Sequence, residues 1–224
     1  MFLLLSIANR INLILCIMDQ KYITLKNELE TILYNVNQNN IILYDQNSGD
    51  SLPENYTINC FFKEEDLHLV KEMIERLRQV DDNQFYYSPE QLHITLLGQI
   101  DIKSDLQEII NIVSSFIKNH EIVFDLLGVG SSVKVASVTA YPHFAIDTLR
   151  GQLRQIGGGT SFDGPYEKLA WINFMRYLNK SETVLKSLVK ETNTNFGTVK
   201  PERIELLRNS SRLLVGAEVV HTFR

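Results

Sequence analysis

The stretch Pro89-Glu90-Gln91-Leu92-His93-Ile94-Thr95-Leu96-Leu97-Gly98 sets an imidazole and a hydroxyl two positions apart in an apolar run. On a β-strand side chains alternate between faces, so His93 and Thr95 share one face while Leu92, Ile94 and Leu96 share the other. Imidazole takes or gives a proton near neutral pH without special surroundings. A threonine hydroxyl can hydrogen-bond a phosphate oxygen. Alone, the pair proves little, since a strand histidine is more often a half-buried structural residue.

The elements around the pair alternate in period. Tyr56–Phe62 reads as a strand, and Glu64–Val80 as a helix with Leu67, Val70, Ile74 and Leu77 on one stripe. Leu92–Gly98 is the strand of the His-x-Thr pair. Helix Ser104–Asn119 opens on a capping box of Ser104 and Gln107 and buries Leu106, Ile109, Ile110, Val113 and Ile117. Strands Glu121–Leu127 and Val133–Ala140 flank turn residues Gly128, Gly130 and Ser131. A second round follows: helix Phe144–Ile156, loop Gly157–Gly164, strand Leu169–Met175 and helix Glu182–Glu191. Strand-like Arg203–Leu207 and Leu213–Thr222, joined by the turn Asn209–Ser211, close the chain. This order predicts an α+β fold of two pseudo-symmetric lobes, each an antiparallel-rich sheet with helices outside, around a central cleft.

The passage Tyr86-Tyr87-Ser88 through Gly98, set between a strand and helix before it and a helix after it, resembles the first motif of the 2H phosphoesterase superfamily. That group includes RNA 2′,3′-cyclic phosphodiesterases and 2′-5′ RNA ligase-like proteins. The resemblance implies two similar lobes, each placing a His-x-Thr/Ser strand in a shared cleft, with the histidines as acid and base and the hydroxyls on phosphate. The second strand departs from that pattern. It reads Leu169-Ala170-Trp171-Ile172-Asn173-Phe174-Met175-Arg176, with Trp171 at the second histidine's place and Asn173 at the second hydroxyl's; Arg176 falls at the family's arginine. By this resemblance His93 and Thr95 are the catalytic candidates, and Trp171, Asn173 and Arg176 the substrate-binding ones. An indole N–H donates but does not titrate usefully. Loss of one proton-transfer group typically costs about 10²–10⁴-fold. Two readings follow: a divergent cyclic phosphodiesterase relying on His93, or a binding module for a phosphorylated nucleotide or RNA end.

Other residues carry weaker signals. His143, at a strand-to-helix junction, and His221, on the last strand, are the candidates to replace the missing histidine. His68 lies within a helix and His120 at a helix end, where a cation suits the dipole. No spacing of histidines and acids suggests a metal, and no cofactor is expected. Gly157-Gly158-Gly159-Thr160 lacks the Gly-Lys-Ser/Thr of a phosphate loop and reads as a flexible loop beside the second motif. Arg150 and Arg154, four apart, are expected on a solvated helix face, and Tyr86 and Tyr87 in aromatic packing.

Composition bounds the rest. The 224 residues carry 22 Lys+Arg against 27 Asp+Glu, a net charge of −5, which excludes holding nucleic acid by bulk electrostatics. Two cysteines, Cys16 and Cys60, make no disulfide framework and fit a reducing cytosol. The apolar start Met1–Met18 is interrupted by Asn9, Arg10 and Asn12, short of the roughly 20 apolar residues of a membrane span. Met18 is expected to be the working start. Apolar residues at Leu25, Leu29, Ile32, Leu33 and Val36 predict a helix over 19–36. We therefore expect an N-terminal extension over 1–54, including strand-like Ile41–Tyr44, and a bilobal domain over 55–224, monomeric and away from membranes.

Overall fold

The structure is a computed structural model that describes residues 41–45, 51–162 and 164–223. The apolar start and the expected helix over 19–36 lie outside the described residues. The strands are β1 Ser51–Phe61, β2 Phe85–Tyr86, β3 His93–Asp101, β4 Phe124–Ser131, β5 Val135–Pro142, β6 Ala170–Arg176, β7 Asn195–Val199, β8 Arg203–Ser211 and β9 Glu218–Phe223. The helices are α1 His68–Val80, α2 Leu106–Asn119, α3 Ile146–Gly157 and α4 Glu182–Lys190. All strand pairings are antiparallel, and they join into one sheet of order β7-β4-β5-β6-β3-β1-β8-β9, with β2 on β6.

The apolar faces of strands and helices meet in one core. Ile58 and Cys60 of β1, Ile94 and Leu96 of β3, Val138 of β5 and Ile172 of β6 are fully buried in it. They pack on helical stripes at i, i+3, i+4 and i+7 spacing: Val70, Met73, Ile74 and Leu77 on α1, and Ile109, Val113 and Phe116 on α2. Phe116 takes the place on α2 that the sequence assigned to Leu106, Ile110 and Ile117, which flank the core half-buried. Asp105, not Ser104, caps α2, its carboxylate accepting from the Glu108 N–H at 3.1 Å.

The sheet divides into two four-stranded halves, β3-β1-β8-β9 and β6-β5-β4-β7. They are not consecutive halves of the chain. In sequence the runs β1-α1-β3-α2-β4 and β5-α3-β6-α4-β7-β8 correspond, yet β4 pairs with β5 and β8 with β1. The helices exchange as well: α1 packs on α4 and β7, whereas α3 packs on α2 and β3. The expected hairpin of the first round therefore joins the two runs of the chain within one half of the sheet. Its first strand runs on through a bulge to Ser131, so Gly128 and Gly130 lie in the strand and the turn falls at 132–134. Asn209 and Ser211 likewise end β8 rather than form the turn after it.

The short β7 and the two-residue β2 have no counterpart in the expected elements. Residues 41–45 are extended without forming a strand. Their backbone N–H groups at Ile42 and Tyr44 donate to Val133 O and Tyr177 O at 2.8 and 2.7 Å. Strand β1 starts at Ser51, ahead of residue 55.

One ladder pair joins the halves, Ile94 opposite Ile172. Past it β3 and β6 splay, and the guanidinium of Arg150 fills the opening. Its Nε donates to Leu96 O at 2.7 Å, and its Nη1 donates to Glu167 O at 2.7 Å and Leu169 O at 2.8 Å. Arg150 is wholly buried, contrary to the solvated helix face expected for it, because these backbone carbonyls lie where no strand can satisfy them. Burial lowers its pKa to about 10, against the opposing pull of Glu167, so it stays charged at neutral pH. Arg154 lies half-buried beside it, paired with Glu167 and donating to Thr160 O. Each buried carbonyl left without a donor costs about 1–3 kcal/mol. Arg150→Met should therefore lower unfolding stability by about 3 kcal/mol or more, read from its urea midpoint. Arg150→Lys, lacking the planar fork, should recover only part. A near-neutral Arg150→Met would refute the wedge.

Candidate functional site

The turn Pro89–Gln91 delivers the histidine. Gln91 closes it by accepting the Ser88 N–H on its side-chain oxygen at 2.8 Å, and β3 starts two residues later at His93. The ring then folds back on the same turn: Nδ1 lies 2.7 Å from Gln91 O. A carbonyl only accepts, so Nδ1 carries the proton and the neutral ring keeps its lone pair on Nε2. That is the atom able to accept a proton. Phe61 of β1 lies beside the ring, centroids 5.9 Å apart, and Arg203 covers Phe61 from β8 at 4.6 Å.

The Ile94–Ile172 pair fixes which residues share the site. Both isoleucines point into the core, so His93 and Thr95 before and after one, and Trp171 and Asn173 before and after the other, stand together on the opposite face. All four are half-buried. A two-fold relation between the strands places Trp171 in the position equivalent to His93 and Asn173 in that equivalent to Thr95. The face continues outward through register. Asn59 lies beside Thr95, with Glu205 beside Asn59; Ser137 lies beside Asn173 and Thr139 beside Trp171.

Asn59 was not singled out from sequence. It is fully buried, its Oδ1 accepts from Thr57 at 3.4 Å, and its Nδ2 has no partner among the described residues. A lone amide within the apolar strand Ile58–Phe62 was the available signal.

On the β6 side an open cavity of about 490 Å³ lies over β4, β5 and β6. Trp171 is its aromatic floor, with Phe162 at 5.2 Å and Tyr166 at 6.2 Å between centroids. Phe162 comes from the glycine-opened loop after α3. Gly159 there has φ +114° and an added Cβ would lie 3.1 Å from Gly98 O and Leu97, so the loop reaches the end of β3 only without a side chain. Arg150 stacks on Phe162 at 4.7 Å.

Arg176 stands apart from this cavity. A bulge in β6 opposite Ala136 and Ser137 turns the strand end, and the Arg176 Nε donates to Tyr87 Oη at 2.8 Å while its guanidinium covers the Tyr44 ring at 4.9 Å. Tyr87 is buried and Tyr86 donates to Asp81 O, so both tyrosines pack as expected. Neither spare histidine joins the site. His143 bonds Asp125 at 2.8 Å beyond the end of β5. His221 lies against Phe223, 4.8 Å between centroids, on the helix-covered face of β9. His68 and His120 bond helix carbonyls of Glu65 and Phe116. Among the described residues no three His, Cys, Asp or Glu side chains group to hold a metal ion, and no helix is long and apolar enough to cross a membrane.

Neither a family model nor a curated protein matches the sequence. Solved structures do. The protein TT0787 of Thermus thermophilus aligns with a TM-score of 0.53 at 16% identity, over 76% of this chain and 97% of that one. A phosphoesterase aligns at 0.49 and 14% identity over 76% and 97%, and Usb1 of Kluyveromyces marxianus with uridine monophosphate at 0.41 and 11% over 75% and 96%. At these identities the likeness is one of fold. The chain shares the α+β fold of TT0787.

Burial holds the His93 pKa below the ordinary histidine value, with the Gln91 carbonyl acting the other way. The unfolded chain therefore binds this proton more readily than the folded one. The resulting stability is complete above about pH 6.5 and is lost as pH falls through the lower folded value. An NMR titration of the His93 ring should give a midpoint below about 6.5, and His93→Gln should flatten the acid loss of stability. A midpoint above the ordinary value would contradict the burial account.

Proposed function

We propose that the protein is a divergent 2H phosphoesterase-like protein that binds a phosphorylated nucleotide or RNA end at the β3–β6 junction and turns over a 2′,3′-cyclic phosphate weakly at most. One observation carries this reading: a single imidazole, with Nε2 free to accept a proton, stands beside Thr95 on the face where its symmetry mate is a tryptophan.

Hydrolysis of a 2′,3′-cyclic phosphate forms a bond from water oxygen to phosphorus and breaks one ring P–O bond, leaving a phosphomonoester. His93 Nε2 is suited to take the proton from the attacking water. The departing ribose oxygen, on the far side of phosphorus, needs a proton from a second group. Trp171 does not provide it, so that proton must come from solvent, at a cost of about 10²–10⁴-fold. Thr95 and Asn173 each retain a donor for the phosphate oxygens. A non-catalytic binding module is the second reading, favoured by the packing of Trp171 against Phe162 and Tyr166 and of Arg176 against Tyr44 and Tyr87.

The test is turnover of a 2′,3′-cyclic nucleotide. Wild-type protein should be slow, and Trp171→His with Asn173→Thr should raise its rate by up to about 10²–10⁴-fold. Adding His93→Ala should abolish that gain. Fast wild-type hydrolysis that survives His93→Ala would overturn the reading, whereas equal background rates with measurable binding would favour the binding module.

A further inference from the structure

We propose that the cavity over β4, β5 and β6 is a nucleobase site, in which Trp171 is the stacking floor and the polar edge of the base is read by Ser137, Thr139 and Asn173. This inference rests on the phosphate-end reading of the same face and assigns the two halves of the ligand to the two halves of the sheet.

The cavity's size of about 490 Å³ suits a small ligand. Its lining is aromatic and hydroxylic and includes no charged side chain. An isolated phosphate would find no countercharge among its lining residues; the Arg150 guanidinium lies across Phe162 and is engaged by three carbonyls. Phe162 and Tyr166 stand 5.2 and 6.2 Å from Trp171 between centroids, in direct ring contact, so no ligand fits between either ring and the indole.

The polar groups point the same way. Ser137 and Thr139 are nearly buried, at 8% and 2% exposure, and Asn173 is half-buried, yet none makes a side-chain hydrogen bond among the described residues. Their polar atoms are not among the buried ones left without a partner, so they open toward the cavity. The three side chains stand in register, Ser137 beside Asn173 and Thr139 beside Trp171, and all line that one cavity. Two hydroxyls that donate or accept and one amide that does both match a flat heterocycle with donors and acceptors on its rim. One strand spacing away, on β3, stand His93 and Thr95. A nucleoside phosphate whose base rests on Trp171 therefore directs its phosphate to the imidazole.

Trp171 is the sole tryptophan of the chain, so its emission reports on the cavity directly. The full chain is titrated with uridine, adenosine, ribose and inorganic phosphate, with calorimetry in parallel. Nucleosides should quench the emission saturably, and ribose and inorganic phosphate should not. Thr139→Val and Ser137→Ala, both near-isosteric, should weaken nucleoside binding several-fold at unchanged melting temperature. Trp171→Ala should weaken it by about 5- to 150-fold, the range of stacking on one base. Absence of nucleoside binding, or ribose binding as well as uridine, would overturn the assignment. If a cyclic nucleotide then still bound through His93, the phosphate-end reading would stand without it. Nucleoside binding with no dependence of any phosphate ligand on His93 would support the cavity and reject that reading.

Discussion

The two halves of the sheet touch through a single ladder pair, and everything functional is arranged around it. Ile94 and Ile172 turn their side chains into the core, which obliges His93, Thr95, Trp171 and Asn173 to emerge together on the other face. A longer seam between β3 and β6 would leave no opening; a missing one would let the halves part. Arg150 resolves this by entering where the strands splay and donating to carbonyls of both sides. A buried guanidinium is a costly device, tolerable because its fork meets three acceptors whose own burial would otherwise be penalised. Through its stack on Phe162 the same residue also supports the wall on which Trp171 rests.

That arrangement makes the departure at Trp171 local rather than disruptive. The strand keeps its alternation, its partners and its place in the sheet; only the chemistry of two outward positions differs between the halves. On one side stands a titrating ring oriented by a backbone carbonyl, and on the other an indole among hydroxyls. The face is thus polarised between a proton acceptor and a flat apolar surface with polar edges.

Much of this was legible in the residues. Period-two alternation marked β3 and β6, and helical spacing located the four helices of the described residues, because burial on one face imposes both patterns. Other features left no such trace. β7 is five residues around Gly197, whose φ of +96° interrupts any alternation, and β2 is too short to show a period. Asp105 and Ser104 are both good caps one residue apart, and local sequence does not decide between them. Arg150 and Arg154 read as a surface strip because a guanidinium's carbonyl partners carry no residue signature. Phe162 reaches Trp171 from an aperiodic loop. Strand partners, too, follow from tertiary packing: nothing in the hairpin β4–β5 says that its arms come from different runs of the repeated element order.

Each half of the sheet takes its two strands nearest the seam (β3 and β1, or β6 and β5) from one chain segment and its third from the other (β8 or β4), with β9 or β7 at the edge and one helix from each segment. Reciprocal exchange of equivalent elements is how domain-swapped dimers are made. This molecule is in effect such a dimer written on one chain, joined through the turn at 132–134. Neither segment owns a complete half, so the site between them exists only when both are folded, and a break in that turn would yield two fragments that must find each other to complete either half of the sheet.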